Sequence, residues 1–92
     1  MLLILIFIIF LQEHLSLKNN SLAKLSSGVT NLPCLRSLNA RSNHLTHDGV
    51  SGNIFELEDL TTLDFSKNNL TAVPDGLENA RSLLVLNLSE NQ

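Results

Sequence analysis

The chain has 92 residues, of which 43% are hydrophobic, and a formal net charge of −3 from nine acidic and six basic side chains. That length allows one small domain at most, and the mild negative balance excludes both the basic footprint of a nucleic-acid binder and a polybasic membrane patch. Cys34 is the only cysteine. An internal disulfide is therefore excluded, and the lack of cysteine-rich ends favours a reducing, intracellular setting.

The chain begins with MLLILIFIIFL, eleven apolar residues in a row. As a helix they would extend roughly 16 Å, about half of a bilayer core, which is too short to span it. The run has the length of a signal-peptide core but lacks a basic start and a small-residue cleavage site. Gln12, Glu13 and His14 then lead straight into a new pattern. Three readings of residues 1–12 stand: a spurious start, an atypical signal or anchor, and a buried cap strand or helix. Residues 13–92 are read as a separate repeat region.

That region repeats four times. Leu15/Leu17, Leu38/Ala40, Leu63/Phe65 and Leu86/Leu88 each precede an asparagine, Asn20, Asn43, Asn68 and Asn91. Leu22, Leu45 and Leu70 follow the first three of them. The shared frame, L-x-x-L-x-L-x-x-N-x-L, is that of a leucine-rich repeat. It predicts an α/β solenoid with a short parallel sheet on the concave face and helical or irregular convex arms.

In the first repeat, Leu25, Val29 and Leu32 complete the apolar set. The second places Ala40 where a large residue is usual, which predicts looser packing there. Its return arm is two residues longer than the others. The surplus is expected in the Gly49–Gly52 loop, with Ile54, Phe55 and Leu57 returning to the core. In the third, alternation turns Leu63 and Phe65 inward and Thr62, Asp64 and Ser66 outward. Val73, Leu77 and Ala80 have helical spacing, and Pro74 suits a first helical turn. The fourth, LLVLNLSENQ, is incomplete at Gln92, which predicts that the working protein is longer and that Leu83, Leu86 and Leu88 lack cover.

The four asparagines are expected to be structural. Sharp turns bury backbone donors and acceptors together, and an amide side chain serves both at once. The outward columns are His14/Ser37/Thr62/Val85, Ser16/Asn39/Asp64/Asn87, Lys18/Arg41/Ser66/Ser89 and Asn19/Ser42/Lys67/Glu90. Lys18, Arg41 and Lys67 form a modest basic track, interrupted by Asp64 and Glu90. Lys18, Arg41, Asp64 and Lys67 are the expected partner-binding residues, suited to a protein or peptide with acidic patches.

Nothing in the sequence predicts catalysis, a metal or a cofactor. His44, His47 and Asp48 are too few for a metal site. Gly49-Val-Ser-Gly52 follows no phosphate-binding pattern. Cys34 has no histidine placed to activate it, and Glu56, Glu58 and Asp59 read as a solvated acidic face. Asn19, Asn69 and Asn87 open glycosylation sequons, but the repeat frame generates N-x-L-T and L-N-L-S by itself.

The short repeats with V-P-x-x-L in the arm (Val73, Pro74, Leu77) resemble the intracellular leucine-rich repeats of Ras-pathway suppressors and scaffolds. Residues 54–91, IFELEDLTTLDFSKNNLTAVPDGLENARSLLVLNLSEN, resemble the N-terminal repeat domain of the flightless-I family. HLSLKNNSL and LPCLRSLNARSNHL follow that family in order, so the likeness covers about residues 13–92 and leaves out 1–12. The resemblance implies a non-catalytic, protein-binding fragment of an actin-remodelling and transcriptional co-activating protein, with cytoplasmic and also nuclear localisation. Family partners are coiled-coil proteins and small-GTPase signalling components. Any link to actin would run through gelsolin-like domains, which this sequence does not contain. The alternatives are a secreted or membrane-tethered binding protein, for which residues 1–12 would be a real signal, and a fragment without independent activity.

Overall fold

The computed structural model describes residues 3, 4 and 11–92. Most of the apolar run, and with it the choice among spurious start, signal and cap, lies outside the described residues. Four three-residue strands, β1 (His14–Ser16), β2 (Ser37–Asn39), β3 (Thr62–Asp64) and β4 (Val85–Asn87), form one parallel sheet in sequence order. Leu15, Leu38, Leu63 and Leu86 stand in register, as do His14, Ser37, Thr62 and Val85. This is the alignment implied by superposing the four asparagines. The ladder continues beyond the strands, because Ala40 and Ser42 donate their N–H groups to the carbonyls of Asp64 and Ser66.

Burial follows the pleat. Leu38, Ala40, Leu63 and Phe65 are buried, while Ser37, Asn39, Thr62 and Asp64 on the other face are half-buried. Behind the sheet, Leu35, Leu45, Ile54, Phe55, Leu60 and Leu70 close a single core. The core is deepest in the second and third repeats. Leu15, Leu17, Leu22, Leu86 and Leu88 are only partly covered, since a repeat buries its apolar edge against its neighbours.

The convex arms are tight turns. A one-turn helix covers Ser27–Thr30, and 3₁₀ turns cover His47–Gly49, Gly52–Glu56 and Leu77–Asn79. The helical reading of Val73, Leu77 and Ala80 is corrected here. Gly76 sits at φ 96°, a left-handed conformation that a right-handed helix cannot pass through. Val73 is therefore 51% exposed, and Pro74 is buried ahead of the turn rather than opening a helix. The surplus residues of the second arm fall where two 3₁₀ turns follow each other. A Cβ on Gly49 would stand 2.2 Å from the Ala23 carbonyl oxygen, and one on Gly52 would stand 2.8 Å from that of Asp75. Both glycines let neighbouring arms touch through backbone. No helix among the described residues is long and apolar enough to cross a membrane.

Candidate functional site

Each strand leaves the sheet through the same turn, and the residue before each asparagine makes that turn possible. Asn19, Ser42, Lys67 and Glu90 have φ of 60°, 61°, 53° and 56°. They are the only non-glycine residues at positive φ among those described. The recurrence in all four repeats makes this a property of the turn. It was hidden in the sequence because only Asn19 is of a type that favours this conformation.

The asparagine after it then ties two repeats together. Asn43 Nδ2 donates to the Ala40 carbonyl in its own repeat and to the Leu17 carbonyl in the previous one, both at 3.0 Å, while Oδ1 accepts from Leu22 N–H at 3.1 Å. Asn68 repeats this with Phe65, Ala40 and Leu45. Asn91 does so with Leu88, Phe65 and Leu70. Asn20 is exposed, and among the described residues its amide bonds only within its own repeat, to the Leu17 and Lys18 carbonyls.

A second local device shapes the face itself. Asn39, Asp64 and Asn87 each turn their Oδ1 back to accept the N–H two residues on, from Arg41, Ser66 and Ser89 at 3.0, 2.9 and 3.0 Å. These short side chains thus fix the end of each strand, as Asx turns do elsewhere.

The expected partner-binding residues are not equivalent. Lys18 is exposed and makes no ion pair among the described residues. Arg41 is half-buried, and its Nη1 donates to Ser66 Oγ at 2.7 Å. Ser66 Oγ in turn donates to Asp64 Oδ1 at 2.5 Å. The outward reading of Ser66 is therefore corrected: the side chain is completely buried between Arg41 and Asp64. Lys67 lies one column away from Lys18 and Arg41, with Nζ 3.6 Å from Glu90 Oε2. The basic track consequently divides into a free end at Lys18, a tethered Arg41 and a neutralised Lys67. Along the start of the strands, Glu13 pairs with Arg36 at 2.9 Å, and His14 Nδ1 shares a hydrogen bond of 2.7 Å with Ser37 Oγ.

The histidine segment is split by the fold. His44 is exposed, and its backbone N–H donates to Leu22, whereas His47 Nε2 faces Asp75 Oδ2 of the next arm at 3.4 Å. Among the described residues, no group of three or more His, Cys, Asp or Glu side chains is placed to hold a metal ion. Cys34 is half-buried. Glu56, Glu58 and Asp59 are exposed, and Asn69 is exposed in the turn after β3, its backbone N–H donating to the Leu45 carbonyl.

Comparison with known proteins agrees with this geometry. The family model described as Leucine Rich Repeat matches residues 59–80. The flightless-1 homologue of Mus musculus is 54% identical over 57 residues, which is 62% of this chain and 4% of that protein. Podocan of Mus musculus is 44% identical over 79 residues, 84% of this chain and 13% of podocan. Lumican of Gallus gallus is 36% identical over 81 residues, 87% of this chain and 23% of lumican. The chain thus spans a small part of the length of each relative. Four parallel strands in sequence order, the recurring asparagine turn and the matched repeat model together make it a leucine-rich repeat solenoid whose repeats are similar to those of flightless-1 homologues.

Proposed function

We propose that the chain is a non-catalytic interaction module that binds a protein partner across its concave sheet face, within a flightless-like, cytoplasmic regulator of actin remodelling. The observation that carries this reading is the division of the face. A rigid scaffold of asparagine and Asx turns holds Lys18 free and Arg41 aimed by Ser66, and open concave faces are how solenoids engage partners. Lys18 and Arg41 meet the acidic patches of the partner, and Asp64 and Lys67 contribute further contacts beside them. The likeness to flightless-1 homologues supports the choice of parent. Changing the four residues to alanine while retaining the fold is expected to abolish capture of the partner. Unchanged capture by a folded variant would show that another face binds.

The longer alignments to podocan and lumican favour a second reading, a secreted repeat protein that binds through the same face. Glycan at Asn69 of the chain expressed in animal cells would select this reading. Its absence, with the chain recovered from the cytosol, would select the first.

A further inference from the structure

Arg41 and Asp64 carry opposite charges on one face, yet among the described residues they form no direct ion pair. The Ser66 hydroxyl stands between them. It accepts from Arg41 Nη1 at 2.7 Å and donates to Asp64 Oδ1 at 2.5 Å, and the Ser66 side chain is completely buried. Two hydrogen bonds in series hold the charged groups up to about 5 Å apart. Neither group is used up. A guanidinium carries five N–H donors, and among the described residues Arg41 engages only Nη1. Asp64 Oδ1 takes both the N–H and the O–H of Ser66, which leaves Oδ2 as an open acceptor.

The neighbours of Asp64 sharpen the pattern. Asn39 and Asn87 stand in register on either side of it, about 4.8 Å away in each direction. Each spends its Oδ1 on its own Asx turn, so the amide N–H donors are what it leaves for a ligand. The face thereby sets one acceptor, Asp64 Oδ2, among donors from Arg41, Asn39 and Asn87. A carboxylate placed there would meet Asp64 as a like charge, and an ammonium group would meet Arg41. A carboxamide meets neither, and from one carbon atom it offers a carbonyl to the donors and an N–H to the acceptor. We infer that the concave face recognises a carboxamide, the side chain of an asparagine or glutamine of the partner, at Arg41 and Asp64, with Ser66 as the positioning residue that keeps the two apart. The inference rests on the concave-face reading. It adds one neutral point of recognition beside the acidic contact, for which Lys18 and the remaining Arg41 donors stay free.

The test uses four labelled peptides that share a pair of aspartates and differ at one residue, which is glutamine, glutamate, lysine or leucine. Fluorescence anisotropy with the full chain gives the affinities. Nuclear magnetic resonance locates the site through the Ser66 backbone N–H and the side-chain amides of Asn39 and Asn87. The glutamine peptide is expected to bind about tenfold more tightly than the glutamate and lysine peptides and to shift those signals. Asp64→Asn keeps an Oδ1 for the Asx turn, as Asn39 and Asn87 do at the same position, but exchanges the open acceptor for a donor. It should reverse the order, so that glutamate binds better than glutamine, whereas damage to the fold would weaken both alike. Ser66→Ala should erase the glutamine preference while circular dichroism stays unchanged. Equal binding of the four peptides, with all four weakened by Lys18→Gln, would overturn the carboxamide inference and spare the concave-face reading. A glutamine peptide that shifts signals of the convex arms instead would overturn both. Retention of the glutamine preference in Asp64→Asn would overturn the inference. So would failure of every peptide to bind, since capture of the partner tests the face separately.

Discussion

Asn68 reaches across a repeat boundary to Ala40: its Nδ2 donates to the Ala40 carbonyl 3.0 Å away, although the two residues are 28 apart in sequence. The same carbonyl takes Asn43 from its own repeat, so both of its lone pairs are used. Ala40 and Asn68 are both buried. Asn68→Leu would strand the Leu45 N–H and remove a donor from Phe65 and Ser66. At about 1–3 kcal/mol for each buried group left unpaired, the cost should exceed about 2 kcal/mol. Asn20→Leu, in an exposed turn whose amide bonds among the described residues stay inside its own repeat, should cost less than about 1 kcal/mol. Urea unfolding of the two variants measures the difference.

The recurring left-handed residue makes a second prediction. Ser42 sits at φ 61°, where an ordinary side chain is strained and asparagine is tolerated. Ser42→Asn should stabilise the chain by about 0.5 kcal/mol, and Ser42→Val should destabilise it by about 1–2 kcal/mol. Thermal melts of the pair should move in opposite directions.

The glycines separate in the same way. Gly49→Ala would drive a Cβ against the Ala23 carbonyl and the Lys24 backbone, and no flexible side chain is there to yield. A loss of about 3 kcal/mol is expected, at the upper end for overpacking. Gly28 lies in the one-turn helix with only Ser26 Oγ near, at 3.6 Å. Gly28→Ala should raise stability by about 0.4–1 kcal/mol through the unfolded chain. Equal effects of the two substitutions on the denaturation midpoint would refute this account.

Core and rim should respond unequally to truncation. Phe65 is fully buried, and Phe65→Ala should cost about 3–5 kcal/mol. Leu84→Ala removes a side chain that is mostly in solvent already and should change stability by no more than about 0.5 kcal/mol. Chemical denaturation of both variants checks the contrast.

Fold and register were legible because the inward positions must be apolar at a fixed period. Leu38, Leu63 and Phe65 could be placed by alternation alone. The arms were less legible. Val73, Leu77 and Ala80 carry helical spacing by coincidence, and only the left-handed Gly76 between them reveals the break. Ser66 was misread for a related reason. Its position is outward by register, but the Asp64 carboxylate and the Arg41 guanidinium close over it, and that depends on residues two positions and one whole repeat away. The division of the basic track into free, tethered and neutralised parts required the third dimension, since Lys67 and Glu90 are separated by one full repeat.

The asparagine ladder also sets rules for how such a chain changes in length. The last three closing turns each borrow an acceptor and a donor from the preceding repeat at a matching position. Gaining or losing a whole repeat therefore restores every bond, whereas a shift of a few residues within a strand or its turn misaligns all of them. The convex arms lie outside that accounting, and the second already carries two surplus residues where two 3₁₀ turns follow each other. Natural variants of this sequence should differ by entire turns of the solenoid, or by small insertions in the convex arms, and rarely within a strand or its closing turn.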